Sequence, residues 1–437
     1  MPADWPTATV DEIKAPKANA LSMGPFGSDI TTDNFVDNGV PVIRGVNLSS
    51  GRFHDSGFVY LTEQKADQLR GANALAGDLV FTHRGTLGQV ALIPPSEIYA
   101  RYVISQSQMK LSCDTSKVDP LFLYYYFRSP MGQHALLANI STTGVPAISR
   151  PLSSLKAIRV PWPPLQEQRA IAHILGTLDD KIELNRRMNA TLEEMARALF
   201  RSWFVDFDPV RARVEGRQPE GMDAATAALF PDSFEETVLG EVPRGWRVGM
   251  LCEVAEITMG QSPPGDTYNE FGDGLPFYQG SRDFGFRFPT QRIYCTAPTR
   301  FAKRGDVLLS VRAPVGTINI TPEDCAIGRG VAALRLRLQP ASYLYYLLNA
   351  TRASWARFNA EGTVFGSVTK ANVHNFCTLI PPDLLIQRFG RIIDPNDERI
   401  LSNSLEIVAL SEIRDALLPK LLSGEIRVGE AERAVAG

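Results

Sequence analysis

The sequence predicts an α+β protein in which two pseudo-symmetric globular α/β units are separated by two long helices paired as an antiparallel coiled coil. Three observations carry this prediction. The chain is written twice, with a displacement of about 220 residues between the copies. Each copy closes on a pair of prolines, Pro163-Pro164 and Pro381-Pro382. After each pair the pattern changes to the 3,4 spacing of an amphipathic helix.

The first unit is expected over residues 1–165. Gly39 to Gly45 encloses Val40-Pro41-Val42-Ile43, a loop entering a buried strand, and its counterpart is Gly274 to Gly280. Gly77-Asp78-Leu79-Val80, followed by Thr82-His83-Arg84-Gly85, matches Gly305-Asp306-Val307-Leu308, followed by Ser310-Val311-Arg312-Ala313. The aromatic run Tyr124 to Phe127, matched by Tyr345-Tyr346-Leu347-Leu348, is expected in the core, because aromatic clusters bury large areas.

The first helix is expected over 166–205. Leu175, Leu178, Ile182, Asn185, Asn189, Leu192, Ala196 and Leu199 form its seam, and the second copy repeats it as Ile393, Asn396, Ile400, Asn403, Ile407, Leu410, Arg414 and Leu417. Asn185 and Asn403 are the expected register residues, since a polar group on an apolar seam disfavours pairings that leave its amide unsatisfied. Residues 206–245 are a connecting segment rich in Pro, Glu and Gly, pinned by Phe230-Pro231 and Trp246. The second unit follows over 246–382, and the second helix with a C-terminal tail over 383–437.

Charge and motif content narrow the function. The net charge of −3 divides into +1 over residues 1–165, +4 over 241–382 and −8 elsewhere, so the acidity lies on the helices and connection and leaves the globular units free to meet an anion. Five cysteines, an odd number with no C-x-x-C pair, argue against a disulfide framework and a zinc site. No phosphate loop, zinc-protease helix, nucleophile elbow or dinucleotide fingerprint is present, nor an Asn-Pro-Pro-aromatic tetrapeptide. The expectation is a binding subunit without catalytic residues, metal or cofactor. With no apolar run near the roughly 20 residues of a membrane span, and no signal-like start, it is expected to be cytoplasmic.

Pro163-Pro164-Leu165-Gln166-Glu167-Gln168-Arg169, then Leu178-Asp179-Asp180-Lys181-Ile182, resembles the first conserved region of type I restriction–modification specificity subunits, and Trp203-Phe204-Val205-Asp206-Phe207 resembles its end. The second repeat departs from it, with Leu385-Ile386-Gln387 for Gln166-Glu167-Gln168 and a Leu422-Ser423-Gly424-Glu425-Ile426 ending. The resemblance implies a subunit whose two target-recognition domains, inverted at the ends of the helix pair, read the halves of an asymmetric double-stranded DNA site. It also implies that the subunit holds two adenine methyltransferase subunits and, through them, the restriction subunits.

Base edges are read by hydrogen-bonding side chains on loops and strand ends. The candidates in the first unit are Arg44, Thr82, His83, Arg84, Thr86, Gln106 and Gln108. In the second they are Gln279, Ser281, Arg282, Ser310, Arg312, Arg329 and Lys370. Arg84 and Arg312 lead, because both repeats keep a guanidinium in the turn behind the Gly-Asp strand; His83 suits a structural role equally. Glu167, Arg169, Asp179, Lys181, Glu183, Arg388, Asp397 and Arg399 are the candidate partner-docking residues on the exposed helix faces. Two other classes stay open at this stage: a coiled-coil scaffold that never touches DNA, and an autonomous enzyme.

Overall fold

The computed structural model describes residues 5–49, 52–141, 144–338, 342–359 and 366–436. The chain forms two compact units, one from residues 1–183 with 407–437 and the other from 184–406, and both limits fall inside the long helices.

In the first unit Leu79–Thr82 and Gln108–Leu111 are buried along their whole length, and short runs buried on both faces form central strands. They sit in an antiparallel sheet of order Leu21–Met23, Gln108–Leu111, Leu79–Thr82, Val90–Leu92. A second sheet runs Phe35–Val36, Val59–Leu61, Val40–Ile43, Tyr102–Ile104, Asn73–Ala74. Within it Val40–Ile43 and Tyr102–Ile104 are parallel, with Val42 opposite Val103.

The second unit repeats this strand for strand. Its four-stranded sheet runs Ala255–Met259, Val331–Leu336, Val307–Ser310, Ile318–Ile320. Its five-stranded sheet runs Tyr268–Asn269, Tyr294–Cys295, Leu275–Tyr278, Cys325–Ile327, Phe301–Ala302, and the parallel pair recurs between Leu275–Tyr278 and Cys325–Ile327.

The tyrosine-rich helices, Pro120–Arg128 and Ser342–Ala350, lie in the cores. In the first unit the Phe81 and Phe127 rings meet edge-on at 4.9 Å. That core also takes in Ile171, Leu175 and Leu178 of the first long helix, and Leu417, Leu421 and Leu422 of the second. In the second unit Phe200, Trp203 and Phe204 pack with Tyr343 and Phe389, Phe204 meeting Tyr343 edge-on at 5.1 Å. The Trp-Phe run that ends the first helix is therefore core. The connecting segment is held as the sequence suggests: Phe230 packs on Trp203 at 5.2 Å and Trp246 on Phe207 at 5.6 Å.

The long helices span Leu165–Phe204 and Asp383–Ser423. Their contacts run antiparallel in each unit. Asn185 donates to Glu406 at 2.8 Å, and Asn403 donates to Asn189 Oδ1 at 2.9 Å, in the second. Arg414 donates to Asp179 at 2.7 Å in the first. Gln168 is buried at the foot of the first helix, where its carbonyl accepts the Asp119 N–H at 2.9 Å and its amide donates to Pro163 O at 2.8 Å. Among the described residues no helix is long and apolar enough to cross a membrane.

Candidate nucleic-acid interface

Each unit opens a cleft at the same place in the repeat. The first, of about 400 Å³, is lined by six of the seven candidates, Arg44, Thr82, Arg84, Thr86, Gln106 and Gln108, together with Gln89 and Ser105. The second, of about 1320 Å³, is lined by Gln279, Ser281, Arg282, Arg312 and Arg329, while Ser310 and Lys370 are not part of its wall.

The leading arginines occupy equivalent turns. Arg84 follows the strand Leu79–Thr82 and its backbone bridges to Ala147; Arg312 follows Val307–Ser310 and bridges to Ser367. Gly85 N–H donates to Pro146 O at 2.9 Å, so the turn is clamped from both sides. Gly85 has φ +91°, a conformation that costs glycine little. Both guanidinium-bearing residues are exposed, and among the described residues neither side chain has a hydrogen-bond or ion-pair partner. Two free cations at pseudo-equivalent cleft rims are poised for an anion or for a guanine edge.

Burial divides the remaining candidates into a floor and a rim. Thr82, His83, Gln108 and Ser310 are buried and committed to bonds inside the fold, which corrects their assignment as base readers. The Thr82 hydroxyl donates to Gln89 Oε1 at 2.8 Å, Gln89 Nε2 donates to Gly45 O at 3.1 Å, and the Gln108 carbonyl accepts from the Ser105 hydroxyl. The His83 ring lies 3.1 Å from Gln106 O, and burial lowers its pKa below the usual 6.5. The Ser310 hydroxyl donates to Pro314 O at 2.7 Å and accepts the Thr317 N–H at 2.8 Å, pinning the turn that carries Arg312.

The rim is polar and accessible. Arg84, Thr86 and Gln106 are exposed in the first cleft, as are Gln279, Arg282, Arg312 and Arg329 in the second. Arg44 is half-buried, with Nη2 donating to Gly57 O at 2.9 Å. Arg292 also lines the second cleft, but Asp283 holds it through two bonds. Lys370 is exposed at the start of the helix Lys370–His374.

The helix candidates also divide. Arg169, Lys181 and Arg399 are exposed, and Glu167 and Glu183 partly so. Asp179, Asp397 and Arg388 are corrected, because their charges are already engaged. The Asp179 carboxylate is almost fully buried and accepts from the Tyr125 hydroxyl at 2.9 Å and from Arg414. Asp397 lies 2.6 Å from the Arg287 guanidinium. Arg388 donates to the Thr226 hydroxyl at 2.7 Å and to Asp223 at 2.5 Å, both in the connecting segment.

Sequence reasoning missed Arg52 and Arg287. Each precedes a Phe and lies seven residues beyond the equivalent glycines Gly45 and Gly280, a spacing kept without gaps in both copies. It also missed Glu193, on the helix seam side, which Arg287 reaches.

The type I restriction modification DNA specificity domain matches this chain twice, over residues 27–194 and 243–406. The chain belongs to that family. Membership places it among the specificity subunits of type I restriction systems. It is 26% identical over 370 residues to the type I restriction enzyme MjaIX specificity subunit of Methanocaldococcus jannaschii, covering 81% of this chain and 78% of that protein. It is 28% identical over 383 residues to the type I restriction enzyme HindI specificity subunit of Haemophilus influenzae, covering 74% and 81%. A crystal structure of the type I restriction–modification system S subunit from M. genitalium shares the fold, with a TM-score of 0.61 at 17% identity over 96% of each chain. Each family match takes in one globular body and continues into a long helix, the same division as the internal repeat.

Proposed function

We propose that the chain reads a bipartite, asymmetric site on double-stranded DNA, one half with each cleft, and holds two methyltransferase subunits on its helix pair, with restriction subunits joining through them. Residues 1–165 and 246–382 are the two readers, 166–205 and 383–437 the helical spacer, and 206–245 the connection. The chain itself transfers and cuts nothing, and it works in the cytoplasm. The observation that carries this reading is the pair of exposed guanidiniums, Arg84 and Arg312, without partners among the described residues, on equivalent turns at two cleft rims. Around them Arg44, Thr86 and Gln106 serve the first half-site, and Gln279, Ser281, Arg282, Arg329 and Lys370 the second. On the helices Glu167, Arg169, Lys181, Glu183 and Arg399 face the methyltransferases, and Asn185 and Asn403 hold the register.

The helices act as a ruler in this reading. Forty residues at about 1.5 Å per residue span about 60 Å, enough to separate two major-groove segments by an unread spacer.

The test is DNA binding by the full chain mixed with its methyltransferase partner. A bipartite duplex, identified by mapping methylated adenines in cells with and without the chain, is shifted at low salt with an affinity that falls steeply as salt rises. Arg84→Ala and Arg312→Ala each weaken binding about 10- to 100-fold and relax discrimination at one half-site only. A complex whose DNA affinity does not depend on salt leaves the alternative, a coiled-coil scaffold that does not touch DNA.

A further inference from the structure

The loop that follows each cleft-lining strand carries a second arginine, which turns away from the cleft toward the helices. In the second unit this is Arg287, whose side chain has no exposure to solvent. Its Nη1 donates to Glu193 Oε2 at 2.5 Å and to the Tyr346 hydroxyl at 2.9 Å, its Nη2 lies 2.6 Å from Asp397, and its plane covers the Tyr345 ring at 4.4 Å. One guanidinium thus joins the cleft loop to the tyrosine helix and to both long helices. The loop is short, since Gln279, Ser281 and Arg282 line the cleft five to eight residues earlier. Its backbone is fastened to the sheet as well, Asn319 bonding Gly285 on both sides and Ile320 N–H donating to Arg287 O.

The first unit builds the same device with the charges rearranged. Arg52 stands where Arg287 stands, Tyr125 where Tyr346 stands and Asp179 where Asp397 stands. The antiparallel helix, however, supplies Arg414 at this level, whereas it supplies Glu193 in the second unit. Asp179 is therefore already neutralised by Arg414, with Arg128 3.5 Å away. Arg52 still feels the Asp179 charge but donates to the exposed Asp180 at 3.0 Å, and its own side chain is one-third exposed. A fully buried cation between one buried carboxylate, Glu193, and one mostly buried, Asp397, is held hard, whereas one paired with a solvated carboxylate is held weakly.

We propose that Arg52 and Arg287 are positioning residues that set the cleft loops relative to the helices, and that the two latches are unequal: the loop of the second unit is locked and that of the first is compliant. This rests on the DNA-reading function above and deepens it, because the half-site read by the second unit is then discriminated by a rigid loop and that read by the first by an adjustable one.

Two measurements on the full chain test it. Hydrogen exchange of the free chain reads the latch directly: Arg287→Lys keeps the charge but cannot span two carboxylates and a ring. It accelerates exchange over 280–290 by about a hundredfold, the cost scale of breaking a buried pair. Arg52→Lys accelerates exchange over 45–49 and 52–58 by no more than about fivefold. Glu193→Gln, which leaves Arg287 with a single carboxylate, moves the behaviour of the second loop toward that of the first and serves where Arg287→Lys fails to fold. In the complex with the methyltransferase, Arg287→Lys lowers the penalty for base changes in one half-site by about tenfold. It leaves the other half-site and the salt slope unchanged, since no phosphate contact is lost. Equal loss at both half-sites, or unaltered exchange over 280–290, overturns the proposal. If the unsubstituted complex binds no DNA the functional reading fails; if it binds specifically and Arg287→Lys discriminates fully, only the latch fails.

Discussion

One interaction occurs twice in this molecule at different depths, and comparing the two copies predicts what burial does to an ion pair. Asp78 and Asp306 occupy equivalent positions before equivalent strands, and each caps a backbone N–H three residues back, at Leu75 and Lys303. Lys110 meets Asp78 at 3.3 Å with both side chains 5% exposed. Arg335 grips Asp306 through two bonds of 2.7 and 2.8 Å, but its side chain is 39% exposed. Burial lowers the Lys110 pKa, and the attraction of Asp78 offsets this only in part. Lys110→Met strands a buried carboxylate. Breaking such a pair costs about 3–5 kcal/mol, and the Ser112 hydroxyl at 2.5 Å and the Leu75 amide keep the cost at the lower end. About 3 kcal/mol is about a 150-fold loss of protection. Arg335→Met lets water replace the guanidinium and costs about 1 kcal/mol, about fivefold, despite the better geometry. Native-state hydrogen exchange over Leu79–Thr82 and Val307–Ser310 reads each sheet separately, which avoids assuming that the whole chain unfolds in one step. Equal losses in the two sheets, or a larger loss for Arg335→Met, would refute the claim that burial outweighs geometry here.

Further outcomes are expected. His83 has a folded pKa below 6.5, so on acidification the unfolded chain takes up the proton first; stability present above about pH 6.5 is lost as pH falls toward the folded value. His83→Asn removes that component, and urea titration at pH 7.5 and 5.5 shows a smaller difference between the two pH values for the variant. Asn403→Ala leaves the Asn189 carbonyl buried without its donor and lowers protection along the helices by about 1–3 kcal/mol, whereas Asn189→Leu with Asn403→Leu is near neutral and loosens register instead; a double-mutant cycle with no coupling contradicts this. Gly88 and Gly316 share φ near +85° to +88°, but a methyl at Gly316 meets Trp355 Cβ at 2.8 Å, while the one close contact of a methyl at Gly88 is the flexible end of Gln133, with Leu137 at ordinary van der Waals distance. Gly316→Ala therefore lowers the melting temperature more than Gly88→Ala, as calorimetry will report.

Much of this architecture was legible because duplication and hydrophobic period are one-dimensional signals. The Gly-Asp strands, the aromatic helices and the two seams all appear in the expected order. Contacts set by folding were less legible. Asn185 and Asn403 are equivalent in the repeat, yet antiparallel pairing joins Asn403 to Asn189 and Asn185 to Glu406, because equivalence by duplication and adjacency across a helix pair follow different arithmetic. The turn behind the Gly-Asp strand identified Arg84 and Arg312, but not that Thr82 and Ser310 two residues earlier point inward, since strand ends are buried in both copies. Arg52 and Arg287 were visible only as a repeated Arg-Phe at fixed spacing. Their carboxylate partners lie more than ninety residues away in the chain, on helices whose charges look like ordinary solvated faces.

The first compact unit is discontinuous, drawing on residues 1–183 and again on 407–437. Leu417, Leu421 and Leu422 complete a core that also contains Phe81, Leu123 and Leu175. The first body therefore cannot close its core before residues 407–437 join it, while the second draws on the single continuous stretch 184–406. A chain lacking Leu417, Leu421 and Leu422 would carry an exposed apolar stripe along Ile171, Leu175 and Leu178, the kind of surface that makes a partly folded chain prone to aggregate.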